Sequence, residues 1–339
     1  MLAPQHVDPE LEELFSDILG DWRAKRGAAP QEIQLDRDLW STLEKLDLTM
    51  LTTSTGAGAT WLEAAALLRA AARVAAPVPL AEHDLLASWM LERAGMEPLA
   101  GIGTVAVLDE RGVAVATPWA SACDRIVIVR PDGSSWRVAD VPASDVMIVP
   151  GWDLAGQPRD RVEVGASTHG HMVEASVVEE LRLRSALARA VQMTGAMDRA
   201  VELCVRFATE HRQFGRPLSK FQAVQHLIAD AACESSLARA ATDAAVATLA
   251  SGTATLSSLE LQVAVARSVT GHAASIIVRH AHQVHGAIGT TFEHPLHELT
   301  KPILAWRSEF GSVRRWDARL TDLLVSSDQS AWALGIAAR

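Results

Sequence analysis

The order of secondary-structure signals along the chain is the feature that most restricts its fold. The first 98 residues carry amphipathic segments such as DPELEELFSDIL and WLEAAALLRAAARV, in which apolar residues recur at helical spacing. Between Gly101 and Ser167 the segments become short and rich in Val and Ile, which predicts successive strands of an antiparallel or barrel-like sheet. From about Val173 the helical pattern returns and persists. Few folds combine a strand block with helical regions on both sides.

We therefore predict an α+β, mostly helical fold with three domains. These are an N-terminal helical domain at residues 1–98, a middle β-domain at residues 99–168 and a C-terminal helical bundle at residues 169–339. Within the β-domain, the sequence PDG at residues 131–133 predicts a hairpin turn. Long helices such as those of the last domain commonly pack into four-helix bundles.

The C-terminal domain should begin with one long helix that has a single buried stripe, because its apolar residues advance in steps of three and four. The stripe comprises Leu183, Leu187, Val191, Thr194, Met197, Val201, Cys204 and Ala208. Ser219 with Gln222, and Ser257 with Glu260, have the spacing of capping boxes and predict the starts of the next two helices. A fourth helical segment is predicted to begin near Pro295.

Charge and cysteine content limit the partners of the chain. A formal charge of −10 argues against a nucleic-acid partner, although a few arginines suffice to bind an anionic small molecule. Cys123, Cys204 and Cys233 form no CxxC pair, so we expect reduced thiols in a cytoplasmic protein. The N-terminus lacks the pattern of a signal peptide, and no apolar run of about 20 residues predicts a membrane span.

The stretch EHRQFGRPLSKFQAVQHLIAD, which begins at Glu210, contains more polar and aromatic side chains than a simple connection between two helices requires. Gly215, Pro217 and Ser219 are explained as a helix C-cap, a helix-breaking residue and the next N-cap. That explanation leaves out the four consecutive residues His211, Arg212, Gln213 and Phe214. Arg and Gln are hydrogen-bond donors, an Arg beside a helix N-terminus favours a phosphate, and Phe packs against planar rings.

A second cluster, QVHGAIGTTFEHPLHELTKP, begins at Gln283. Its turn from Gly286 through Ala287 to Gly289 allows another backbone or a ligand to come close. Taken alone, this segment is equally compatible with an ordinary loop between helices.

Together the two clusters resemble signature segments of the acyl-CoA dehydrogenases. The sequence RQFGRPLSKFQ is similar to that family's Arg-x-Gln-Phe-Gly-x-Pro-Leu-x-x-Phe-Gln segment, and QVHGAIGTTFEHP is similar to its Gln-x-x-Gly-Gly-x-Gly segment with a following Glu-x-Pro. The separation of the two segments is also similar, and the resemblance extends over nearly the whole chain. It implies a helical domain, a β-domain and a C-terminal four-helix bundle, with FAD held between subunits.

The resemblance also implies roles for individual residues, because in this family the two segments reach across a dimer interface to a neighbour's FAD. Gln213 and Phe214 would line the flavin site, and Gln222 would support it. Gln283 and Gly286 would contact the adenine and pyrophosphate part.

Two residues of these segments depart from the family pattern. His211 stands where the family has Arg, and a neutral His donates one hydrogen bond instead of a bidentate pair. Arg212 follows one residue later and would supply the charge. Ala287 replaces the second Gly, a mild change if its φ is negative.

The largest departure concerns the catalytic base. The family reaction removes an α-proton while a β-hydride goes to the flavin, and the proton needs a carboxylate within hydrogen-bond reach. The two places where family members carry this Glu correspond here to Ser185 and Phe310, neither of which is acidic. Glu309 is adjacent to the second place and is the remaining candidate on this chain. The β-domain also lacks the family's Thr-Glu-Pro-x-x-Gly-Ser and Trp-Ile-(Thr/Ser) segments.

Three hypotheses follow. In the first, the chain is a subunit of a heterotetrameric (α2β2) acyl-CoA dehydrogenase that passes electrons to an acceptor. It would resemble the short subunits that act on sterol side-chain CoA thioesters in actinobacteria, and a homologous partner would carry the base. In the second, it is a self-sufficient homotetramer with Glu309 as a displaced base. In the third, it is a scaffold subunit without flavin.

The histidine-rich segments suggest a metal site only superficially. HGH at residues 169–171 is short, and His280, His282 and His285 do not share one helix face. No acidic ligand follows at metal spacing, so we predict no metal.

Overall fold

The computed structural model describes residues 7–27, 30–54, 56–165 and 169–326. Its N-terminal part is helical, with α1 (Pro9–Ala24), α2 (Arg37–Lys45), α3 (Trp61–Arg73), a π-helix (Ala81–Ser88) and α4 (Trp89–Arg93). Asp8 and Asp36 cap α1 and α2, and Thr60 forms a capping box with Glu63 on α3, which satisfies backbone N–H groups at the helix starts.

The β-region contains two sheets. Its strands are β1 (Gly103–Val107), β2 (Val113–Pro118), β3 (Arg125–Asp132), β4 (Ser135–Pro142), β5 (Met147–Val149), β6 (Arg159–Glu163) and β7 (His171–Val173). One sheet has the order β1-β3-β4-β7 and the other β2-β6-β5. A cluster of buried apolar side chains, including Ile126, Ile128 and Val162, draws on both sheets.

Two features of this region differ from the prediction. The strands β1 and β3 pair in parallel, because the intervening β2 crosses to the other sheet, whereas the sequence predicted antiparallel neighbours. The strand β6 was missed because its residues are mostly charged and only Val162 carries the apolar signal. The predicted hairpin is confirmed, since β3 and β4 pair up to Asp132 and Ser135 around Gly133 with φ 63°. The predicted domain boundary near Ser167 lies outside the described residues.

The C-terminal part contains α5 (Ala175–Glu210), β8 (Arg212–Gln213), β9 (Arg216–Pro217), α6 (Gln222–Ala250), α7 (Leu256–His285), α8 (His297–Ser308) and α9 (Val313–Ser326). The long helix with its buried stripe is confirmed, and only Val201 of the stripe is half-exposed. The predicted fourth segment divides into α8 and α9 because the backbone leaves helical geometry at Glu309, and Phe310 has φ 56°.

Both predicted capping boxes of this part are wrong. Ser219 lies in a short 3₁₀ turn, Leu218–Lys220, and α6 begins after Phe221 without a side-chain cap. Thr255 caps α7 by accepting a hydrogen bond from the Ser258 N–H at 3.2 Å, two residues before the predicted Ser257. Of these two helices, α7 therefore has a side-chain cap at a residue other than the predicted one, and α6 has none.

One helical stretch, Leu256–Thr290, is long and apolar enough to cross a membrane by composition. However, 56% of its most apolar window is buried inside the protein, as expected for the central helix of a bundle. Its apolar surface packs on α5 and α6 and forms the core of the C-terminal bundle.

Candidate functional site

The first predicted motif forms a small β-hairpin between α5 and α6, which we call the clamp hairpin (residues 211–217). Strands β8 and β9 are joined by Phe214 with φ 52° and Gly215 with φ 77°. Two successive positive φ values are typical of a type I′ turn. The interpretation of Gly215 as a helix C-cap is therefore wrong, because α5 already ends at Glu210 with an extended His211.

The side chains of the clamp hairpin point to solvent. Phe214 is 90% exposed and meets only the edge of Phe221, with the ring centroids 6.1 Å apart. Arg212, Gln213 and the nearby Gln222 are exposed as well. The hairpin thus presents the Arg212 guanidinium, the Gln213 amide and an aromatic ring outward, and the Gln222 amide lies beside it at the start of α6.

The second predicted motif, which we call the clamp turn (residues 283–290), ends α7. Gly286 has φ 62°, and a 3₁₀ helix, Gly286–Thr290, follows it. Ala287 is not among the residues with positive φ, so its methyl group is tolerated there. A Cβ on Gly289 would lie 2.7 Å from the His285 Cβ, so this position requires glycine. Gln283, Gly286 and Ala287 are exposed.

An aromatic stack joins the hairpin to the turn. The Phe207 ring lies parallel to the His211 ring at 4.9 Å and contacts His285 at 4.6 Å. The His285 ring in turn lies 4.5 Å from that of His294. The structure therefore places the two motifs on one corner of the bundle. Phe207 is not part of either predicted motif, but it lies four residues before His211, a spacing that signals the contact.

Two histidines of this stack, His285 and His294, have a lowered pKa and favour the neutral form near pH 7. Burial lowers the pKa of His285, and its Nδ1–H donates to the Ala281 carbonyl at 2.7 Å. Burial and the neighbouring His285 and His297 likewise lower the pKa of His294. Neutral imidazoles pack together without mutual repulsion, which keeps the corner intact.

Ser185 and Phe310, which the resemblance places at the family's two base positions, are not acidic. Ser185 is buried, and its hydroxyl donates to the Leu181 carbonyl at 2.8 Å. The Phe310 ring lies 5.5 Å from the Arg189 guanidinium carbon. Both side chains are thus occupied by contacts within the chain.

Glu309 belongs to a buried ion-pair cluster, the Glu309 cluster, formed with Glu82, Arg159 and Arg189. Its carboxylate accepts hydrogen bonds from Arg159 at 2.7 and 3.0 Å and from Arg189 at 2.8 Å. Arg189 also donates to Glu82 at 2.5 Å. Burial by itself raises the pKa of Glu309, but the two arginines outweigh it and lower the pKa to about 2.

The backbone around Glu309 is fixed as well. The buried Arg267 donates to the carbonyl groups of Trp306 at 3.1 Å and Glu309 at 2.8 Å, and burial lowers its pKa to about 10. The Glu309 cluster connects the π-helix, β6, α5 and the segment between α8 and α9. A carboxylate held in this way is a weak proton acceptor and has little freedom to reach a substrate.

The histidines considered as metal ligands have separate partners. His282 hydrogen-bonds the Thr300 hydroxyl at 3.1 Å, His280 lies 3.5 Å from Asp230, and His171 contacts the Ala94 carbonyl at 3.0 Å. Within the described ranges, no group of three His, Cys, Asp or Glu side chains is arranged to hold a metal ion.

Residues 177–312 match the family model of the acyl-CoA dehydrogenase C-terminal domain. The acyl-CoA dehydrogenase IpdE2 of Mycolicibacterium smegmatis is 28% identical over 305 residues, covering 87% of this chain and 86% of that protein.

Two solved structures have a similar fold over most of their length. The ChsE4-ChsE5 complex from Mycobacterium tuberculosis contains a chain that matches with a TM-score of 0.81 at 20% identity, over 96% of this chain and 100% of that one. A variant of a steroid acyl-CoA dehydrogenase, Tcur3481-Tcur3483, matches with a TM-score of 0.80 at 20% identity, over 93% and 97%.

Proposed function

Because the chain belongs to the acyl-CoA dehydrogenase family, whose members are oxidoreductases acting on CH–CH bonds and use FAD, we propose that it is one subunit of a heteromeric FAD-dependent acyl-CoA dehydrogenase. In this proposal it contributes its clamp hairpin and clamp turn to a flavin bound mainly by a homologous partner. The partner supplies the carboxylate that removes the α-proton.

The observation that carries the proposal is the contrast between a retained clamp and a missing base. Ser185 and Phe310 replace the acidic residues, and Glu309 is neutralised by two arginines. The α-proton of a CoA thioester is weakly acidic, so it requires a base whose carboxylate is free to approach. This chain therefore acts by binding and orienting.

The clamp residues fit an FAD. The Arg212 guanidinium suits a pyrophosphate oxygen, and the amides of Gln213 and Gln283 provide donors and acceptors for a nucleotide. The first turn of α6 carries no side-chain cap, so its N–H groups favour an anion. When bound, FAD supplies the acceptor for the hydride from the β-carbon. Phe214, exposed at the hairpin tip, would shield one edge of a planar ring from water.

The identity of the partner and substrate is also part of the proposal. The two similar structures are of the ChsE4-ChsE5 complex and of the Tcur3481-Tcur3483 steroid enzyme, which supports a heteromeric α2β2 partner and a sterol side-chain CoA thioester for this chain. The buried Cys123 and Cys204 have a raised pKa because of burial, in keeping with inert thiols in a reducing cytoplasm.

The experiment that tests the proposal is co-expression with a homologous acyl-CoA dehydrogenase subunit from the same organism, followed by counting FAD per tetramer. We expect two FAD per α2β2 tetramer, with activity abolished when the partner's catalytic Glu becomes Gln. Glu309→Gln in this chain should leave the activity per folded complex unchanged.

Two other outcomes would reject it. If the chain alone purifies as a yellow protein that reduces an electron acceptor with an acyl-CoA, it is self-sufficient, and Glu309→Gln should then abolish activity. If the chain acquires no flavin with any homologous partner, it is a scaffold subunit.

A further inference from the structure

A cleft of about 620 Å³ lies between the N-terminal helices α1 and α3 and the bundle helices α5 and α8. This volume falls within the roughly 300–1,000 Å³ range of small-molecule sites. Apolar side chains, among them Leu19, Leu203 and Leu299, line part of its wall. None of the residues proposed to hold the flavin lines this cleft.

The charged side chains that line this cleft are mostly positive, whereas the net charge of the chain is negative. The chain carries a formal charge of −10, yet four arginines from three helices line this one cavity. They are Arg23, Arg73, Arg199 and Arg206. Such a concentration of guanidinium groups in an acidic chain favours an anionic ligand.

The carboxylates around the cleft are too few to neutralise these arginines. Arg73 at 2.7 Å and Arg199 at 3.0 Å share the single carboxylate of Glu202. Both guanidinium groups are partly exposed, at 35% and 39%, so they can turn toward a ligand. A phosphate can form a bidentate pair with each of these arginines. The Glu202 carboxylate cannot, because its two oxygens are shared between Arg73 and Arg199.

The other two arginines have partners of unequal strength. Arg23 pairs at 2.8 Å with Glu298, a buried residue on the cleft wall. Arg206 pairs with Glu210 on the surface at 3.0 Å, with both side chains more than 60% exposed. Exposed pairs of this kind contribute about 0–1 kcal/mol, so a phosphate can displace Glu210 readily.

We propose that this cleft binds an organic phosphate of nucleotide size, with its phosphate groups on Arg73, Arg199 and Arg206 and its less polar part against the leucines. A single inorganic phosphate would leave most of the 620 Å³ empty and the apolar wall uncovered. Two sources share the required chemistry, namely a free nucleotide and the nucleotide end of a CoA ester.

The test is calorimetric titration of the purified full chain with ADP and, separately, with CoA at low salt. We expect saturable binding at one site that weakens as salt rises, because salt screens partly exposed charges. Binding of both probes indicates recognition of the nucleotide phosphates, whereas binding of CoA alone assigns the cleft to a CoA ester. If neither probe binds saturably, the proposal is wrong.

A charge insertion provides the decisive comparison. Gly20 lies in α1 on the cleft wall, and a Cβ there meets nothing within 4 Å. Gly20→Glu places a carboxylate beside the arginines without removing any of them, and Gly20→Gln has the same shape without the charge. We expect Gly20→Glu to weaken probe binding about tenfold or more relative to Gly20→Gln.

Arginine removal gives an independent comparison. Arg199→Gln should weaken probe binding about tenfold. Its control is Arg182→Gln on the same helix, which removes a similar surface pair, with Glu179, away from the cleft. The site would be rejected if Gly20→Glu bound the probe as tightly as Gly20→Gln. It would also be rejected if Arg182→Gln weakened probe binding as much as Arg199→Gln, because the attraction would then be nonspecific. Thermal unfolding of each variant confirms that it is folded.

Discussion

The clamp hairpin and the Glu309 cluster both bring charged and polar residues together, but they use them in opposite ways. The hairpin exposes Arg212, Gln213 and a 90% exposed Phe214, so its groups remain available to something outside the chain. In the Glu309 cluster, Arg189 and Glu82 are almost fully buried and pair with each other. Polar groups that are satisfied within a fold stabilise it, whereas exposed ones on a rigid support can recognise a partner.

This difference leads us to expect that Glu309, although adjacent to Phe310, does not act as the catalytic base. Removing a buried charge from its partners costs several kcal/mol, so Glu309 is held where it is. The hairpin, in contrast, can lose a side chain without disturbing the core. Substitutions in the two regions should therefore separate stability from flavin binding.

The largest effect is expected for Arg189→Met, which has similar volume but leaves the Glu82 and Glu309 carboxylates buried without their shared cation. We expect a loss of about 3–5 kcal/mol in the free energy of unfolding, measured by urea denaturation of the chain. Arg206→Met on the same helix removes an exposed pair and should cost no more than about 1 kcal/mol. Equal losses would mean that the Glu309 cluster is not a stabilising centre.

The next effect concerns the pH dependence of stability. The pKa of Glu309 is lowered from 4.5 to about 2, so its ion pairs stabilise the folded chain fully above pH 4.5 and lose that contribution as the pH falls toward 2. Glu309→Gln should lower stability at pH 7 by about 3 kcal/mol, and its difference from the wild type should shrink below pH 4.5. The surface variant Glu179→Gln, which removes an exposed pair with Arg182, is the control and should lower stability at pH 7 by no more than about 1 kcal/mol. A constant difference at all pH values would show that the charge of Glu309 is not responsible.

A smaller effect is expected in the clamp turn, where Gly289→Ala forces the new Cβ to within 2.7 Å of His285. Overpacking of this kind costs about 1–3 kcal/mol, and the shift of His285 would disturb the aromatic stack that joins turn and hairpin. We expect reduced thermal stability and a lower flavin content in the co-expressed complex. Ala287→Gly, two residues away, is the control and should change the free energy of unfolding by less than about 1 kcal/mol.

The two regions also differ in how far the sequence predicted them. The α5 stripe follows from the spacing of apolar residues, and both clamp motifs follow from their resemblance to signature segments of the family, so they could be predicted. The Glu309 cluster could not, because Glu82, Arg159 and Arg189 come from three elements far apart in sequence, and Arg159 lies in a charged strand without an alternating pattern. The sequence did not predict the hairpin, because a Gly directly after a helix is commonly its C-cap and because a Phe with positive φ is rare.

The smallest effect on stability, and the sharpest contrast with Arg189→Met, is expected for Phe214→Asn. Asn tolerates the positive φ of 52° at this turn position, so the hairpin should persist. Because Phe214 is 90% exposed, removing its ring exposes almost no core, and the free energy of unfolding should change by less than about 0.5 kcal/mol. The flavin content of the co-expressed complex, measured by absorbance after gel filtration, should nevertheless fall severalfold.

The matched control is Leu154→Asn, which removes an exposed apolar side chain from the β-region at 61% exposure and should leave flavin content unchanged. If Phe214→Asn retained full flavin while destabilising the chain, the hairpin would have to be regarded as part of the fold, and the distinction between the two regions would disappear.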